Sequence, residues 1–102
     1  MKLESLTPNL MVKNVNESIT FYTTLLGFSL IQTVPENGDF EWGFVQKDSV
    51  FIMFQKEASI KEEYPELERQ CTGGGLTFYI KVSNLSEFYE KIKNDVKIVH
   101  DL

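Results

Sequence analysis

Few side chains in this sequence have obvious chemical potential, and they are scattered. Cys71 is the one thiol and His100 the one imidazole. Cys71 precedes a glycine run and has no activating neighbour in sequence, so an inert thiol is the simpler reading. It leaves a disulfide, a zinc ribbon or a redox cysteine pair without residues. His100, close to the end of the chain, has the right intrinsic basicity for proton transfer near neutrality, but no partner in sequence that would orient it. Glu62, Glu63, Glu66 and Glu68 could attract a basic ligand, and equally describe a solvated helix face. Gly73-Gly74-Gly75 could approach a phosphate closely. No Lys-Ser or Lys-Thr follows it, however, and the next segment reads as a strand, so a plain linker is preferred. What remains is aromatic. Phe40, Trp42 and Phe44 alternate along one stretch, with Phe51 and Met53 along another. Alternate residues of a strand share a face, and such a stripe suits a flat, partly apolar ligand as well as it suits a core.

The frame around these residues is small. The 102 residues are 42% hydrophobic and 25% charged, enough for one buried core and not two. Fifteen acidic against ten basic residues give a formal charge of −5. That charge disfavours a nucleic-acid partner, which demands clustered Lys and Arg, and makes a neutral or cationic small molecule the easier one. No apolar run approaches the ~20 residues that cross a bilayer, and MKLESLTPN lacks the apolar stretch of an export signal. With a single cysteine, the expected compartment is the cytoplasm, with no membrane partner.

Residues 6–13 are rich in strand formers. Asn14 and Glu17 then have the spacing of a capping box, and Val15, Ile19, Tyr22 and Leu26 recur at helical spacing to make one apolar face. Gly27 supplies the stop. Strands are expected at 28–34, 40–47 and 49–55, the first two joined through Asn37-Gly38 and the last two through Lys47-Asp48. This order is β-α-β-β-β. Residues 56–70 are charged and interrupted by Pro65, which predicts a short exposed helix. Leu76–Val82 reads as another strand. Asn84 and Glu87 form a second capping box before a helical face of Leu85, Phe88, Tyr89 and Ile92, and Val96–Val99 begins a last strand.

An internal repeat lies beneath this order, at an offset of 70 residues. Thr7, Leu10, Val12, Asn14, Val15 and Glu17 correspond to Thr77, Ile80, Val82, Asn84, Leu85 and Glu87. Copying the first unit onto the second would carry the chain to about residue 125. The expected organisation is therefore a single domain over 1–102, with a first unit at 6–55, a linker with a short helix at 56–75, and a second unit at 76–102 that is about two strands short. An open sheet edge in such a chain invites pairing with another subunit.

The paired units, together with the pattern Leu10-x-Val12-x-Asn14-Val15-x-x-Ser18-Ile19-x-Phe21-Tyr22-x-x-x-Leu26-Gly27-Phe28, resemble the vicinal oxygen chelate superfamily. Glyoxalase I, bleomycin and fosfomycin resistance proteins and extradiol dioxygenases belong to it. The resemblance implies an α+β fold in which tandem βαβββ units form an incomplete, curled mixed sheet around a pocket, commonly across a homodimer. In the metal-dependent members it also implies His or Glu at four inward positions. Carried onto this chain, two of these fall on Thr7 and Thr77 and a third on Ile52 or Met53, while the fourth falls past its end. A divalent ion prefers imidazole, carboxylate or thiolate donors, which these positions do not offer.

The expected function is accordingly metal-free binding of an aromatic or cationic small molecule in a sheet-lined pocket. Thr7, Asn9, Trp42, Phe44, Met53, Thr77 and Tyr79 are the ligand-binding candidates; no cofactor and no catalytic residue is assigned. Two alternatives are a glyoxalase-like lyase or isomerase that uses a divalent metal, and a structural dimerisation module without ligand.

Overall fold

The computed structural model describes residues 1–98, and its first half follows the expected order. Strand β1 (Asn9–Val12) leads into helix α1 (Val15–Leu25), followed by β2 (Ser29–Val34), β3 (Trp42–Lys47) and β4 (Val50–Lys56). Helix α2 (Glu57–Glu63), a 3-10 turn (Pro65–Leu67) and helix α3 (Leu85–Ile92) complete it. The strands form one open mixed sheet in the order β1-β4-β3-β2. β1 runs parallel to β4, and the other pairs are antiparallel.

Local chemistry explains these boundaries. The Oδ1 of Asn14 accepts from the amide of Glu17 at 3.0 Å, satisfying one of the open amides of the first turn of α1. Asn16 ties the β2–β3 connection to the same helix. Its Nδ2 donates to the Gly38 carbonyl and its Oδ1 accepts from the Phe40 amide. The β3–β4 reversal pairs Lys47 with Val50 and places Asp48 at φ 51°, a left-handed conformation that aspartate tolerates better than most residues.

The core lies between α1 and one face of the sheet. Val15, Ile19, Phe28, Val45, Ile52 and Phe54 are buried together, with Leu10, Val12, Tyr22 and Leu26 packed against them. This is the apolar stripe expected for α1, completed by Leu10 and Val12 from β1. Gly43 explains how close the layers come, since a Cβ there would lie 2.6 Å from Ile19 Cδ1 and 3.3 Å from Val15 Cγ1.

Four expectations are corrected. Among the described residues Leu76–Val82 pairs in no ladder, and Leu76 to Lys81 are exposed. Strand-forming residues need a partner edge as well as propensity, and the described sheet ends at β1 and β2. Asn84 precedes α3 but makes no side-chain cap. Phe40 leaves the aromatic stripe: it precedes β3 and packs against the core instead. Lys97 and Ile98 carry no strand, and Val99 and His100 lie outside the described residues.

Candidate functional site

The face of the sheet turned away from α1 carries the other half of the alternation. Because Gly43 and Val45 of β3, and Ile52 and Phe54 of β4, are buried beneath the helix, Trp42, Phe44, Phe51 and Met53 must stand on the opposite side. The register supports this: Phe44 is opposite Met53, Trp42 is opposite Gln55, and Asn9 is opposite Met53. The rings stack. Trp42 and Phe44 have centroids 6.0 Å apart at 30°, and Phe44 and Phe51 lie 5.8 Å apart at 24°. All four side chains are half-buried, so a continuous aromatic surface faces outward on a rigid sheet.

A polar cluster borders the Trp42 end. Gln55 is 8% exposed, and its amide is saturated. Its Oε1 accepts from Asn9 Nδ2 at 2.8 Å, while its Nε2 donates to Ser59 Oγ at 3.0 Å and to Glu63 Oε1 at 3.1 Å. Since α2 begins directly after β4, it returns Ser59 and Glu63 to the strand residue from which the helix starts. The lysines nearby are engaged elsewhere. Lys56 pairs with Asp39 at 2.6 Å, a hydrogen bond that raises the ammonium pKa above its usual value. Lys61 pairs with Glu57, raising its own pKa through that hydrogen bond and lowering that of the carboxylate.

The candidates from sequence are thus only partly gathered. Asn9, Trp42, Phe44 and Met53 share the open face. Thr77 and Tyr79 border a separate groove of about 470 Å³ that also takes in Leu6, Pro8 and Phe51, with Tyr79 94% exposed. Phe51 therefore joins that groove to the ring stack. Thr7 precedes β1, is half-buried, and lines neither groove. A larger groove of about 790 Å³ follows the outer edge of β1 towards Ile60 and the glycine run. Trp42, Phe44 and Met53 line neither cavity, so among the described residues they form a platform rather than the wall of a pocket. The opposing wall was expected from the second unit of a curled sheet, and among the described residues Leu76–Val82 pairs in no ladder.

Sequence reasoning did not assign Gln55. The signal was there, since Gln55 follows Phe51 and Met53 at period two, on the one polar position of that stripe. Glu63 was readable only as one charge of an acidic run.

The positions at which metal-dependent relatives hold an ion do not fit one. Ile52 is 2% exposed on the α1 side of the sheet, Met53 offers a soft thioether, and the hydroxyls of Thr7 and Thr77 are weak neutral donors. Among the described residues, no three His, Cys, Asp or Glu side chains come together as a metal site.

A β-α-β-β-β unit with a β1-β4-β3-β2 sheet and a bare aromatic face defines a class of fold, and comparison with known proteins identifies it. The model of the Glyoxalase/Bleomycin resistance protein/Dioxygenase superfamily matches residues 3–102, and the chain belongs to that superfamily. Comparison with curated protein sequences finds no match. Among solved structures, TioX from Micromonospora sp. ML1 superposes with a TM-score of 0.67 at 14% identity, covering 97% of this chain and 78% of that one. The bleomycin-binding protein of Streptomyces verticillus, solved with copper(II)-bleomycin, gives 0.60 at 18% identity, covering 97% of this chain and 69% of that one. A glyoxalase/bleomycin resistance protein/dioxygenase from Nocardioides gives 0.67 at 21% identity, covering 92% and 63%. At these identities the likeness is one of fold.

Proposed function

We propose that this protein binds a small, flat, aromatic molecule on the open face of its sheet, without a metal at the positions its relatives use. The observation that carries the reading is the half-buried ring stack of Trp42, Phe44 and Phe51, held on strands β3 and β4, whose other face packs into the core beneath α1. A flat ligand laid on such rings loses apolar surface to them at roughly 25 cal/mol per Å² and adds offset stacking. The formal charge of −5 favours a cationic ligand over an anionic one. The solved relative bound to copper(II)-bleomycin supports small-molecule binding as a use of this fold. A homodimer belongs to the same reading: β1 and β2 end the described sheet, and a second copy would cover exposed edge residues such as Leu30 and Ile31.

Isothermal titration with proflavine, a planar aromatic cation, and with bleomycin tests the proposal. Saturable binding of at least one is expected, weakened roughly tenfold or more by Trp42→Ala. Flat titrations with both, or binding indifferent to Trp42→Ala, would contradict it. Light scattering is expected to return the mass of a dimer.

A further inference from the structure

The hydrogen bonds around Gln55 fix more than its own position. A carboxylate only accepts, so the Gln55 group facing Glu63 must be the nitrogen. Its oxygen then faces Asn9, and the Asn9 group that meets it must be Nδ2. Each amide is thereby locked in one orientation by the acid at the end of the row. Asn9 is left with Oδ1 and one Nδ2 proton, and Gln55 has no proton to offer, both having gone to Ser59 and Glu63. No ion pair engages Glu63 among the described residues. The Trp42 end of the platform is therefore bordered by a carboxylate that no cation neutralises and by an amide oxygen open to a donor.

We infer that Asn9 Oδ1 and the Glu63 carboxylate, set in place by Gln55, form a subsite for the hydrogen-bond-donating cationic group of the ligand, a protonated amine or amidine. The inference rests on the platform reading above and gives the ligand a direction. Its aromatic body lies on Phe44 and Phe51, and its ammonium lies at the Trp42 end, where the indole adds a cation–π attraction. Gln55 acts as a positioning residue: it touches Asn9 and Glu63, and the ligand meets those two. A neutral alcohol of the same shape forfeits the charge-assisted hydrogen bond, and a carboxylate meets the like charge of Glu63.

The test is titration calorimetry with three probes of one shape: 1-naphthylmethylammonium, 1-naphthylmethanol and 1-naphthoate. The ammonium is expected to bind roughly tenfold or more tightly than the alcohol, the size of one charge-assisted hydrogen bond, and the naphthoate most weakly. Glu63→Gln keeps an acceptor for Gln55 and removes the charge, so it should preserve the fold and collapse the ammonium preference. Gln55→Leu should reduce that preference while leaving the alcohol affinity within about threefold, because it frees both acceptors without touching the rings. Equal binding of ammonium and alcohol, both lost in Trp42→Ala, would overturn this inference and leave the platform reading standing. A preference that survives Glu63→Gln unchanged would overturn it as well. Absence of binding by all three probes would overturn both.

Discussion

Phe44 and Phe54 stand on opposite faces of the same pair of strands: Phe54 is buried against α1, whereas Phe44 lies between the rings of Trp42 and Phe51 on the outer side. One sheet thus separates the residues that hold the fold from those proposed to hold a ligand. Replacing one of each should separate the two roles. Phe54→Ala is expected to cost about 3–5 kcal/mol, the usual loss for a buried aromatic ring. Phe44→Ala should cost about 1 kcal/mol, in the range of an ordinary substitution, while abolishing the binding of proflavine. Urea denaturation and calorimetry on the two variants check this.

Gly43 sets how closely α1 approaches the sheet. Gly43→Ala would drive a methyl group into Ile19 and Val15, both buried. Overpacking of this kind costs about 1–3 kcal/mol. In a domain of this size each kcal/mol lowers Tm by about 4–8 °C, which a thermal melt followed by circular dichroism would register. A smaller partner in Ile19→Val should restore part of the loss if the contact is the cause.

The hydroxyl of Tyr22 titrates at a higher pH than usual because burial disfavours the phenolate. With the folded pKa above the unfolded value of 10.0, the unfolded chain releases its proton first. Stability linked to this group is complete below pH 10.0 and declines as pH rises from there through the folded pKa. Tyr22→Phe is therefore expected to flatten the alkaline limb of stability relative to the parent protein. Urea midpoints between pH 8 and 11 provide the comparison, with the lysine contributions common to both proteins.

Much of this arrangement was legible in the residues themselves. The Asn14 cap, the stripe of Val15, Ile19, Tyr22 and Leu26, and the strands on either side of Lys47-Asp48 depend on short-range spacing, and the structure follows them closely. Leu76–Val82 was misread for the opposite reason. Its composition suits a strand, but a ladder needs a second edge, which composition does not specify. Of the site, the period-two rule found Trp42, Phe44 and Met53 and left open whether they faced the core. Gly43 and Val45 beneath α1 decide that. The tie from Gln55 to Glu63 spans eight positions and a strand-to-helix junction, beyond the reach of either periodicity. Thr7, placed with the site by its alternation with Asn9, falls before β1 begins.

The most direct test is a ¹H–¹⁵N NMR titration of the protein with proflavine, following the Trp42 indole and the backbone amides together. Saturable shifts are expected at Trp42, Phe44, Phe51 and Met53, with Val15 and Ile19 of α1 unmoved. Shifts centred on the outer edge of β1 and the glycine run, or an unchanged spectrum, would contradict the proposed binding face.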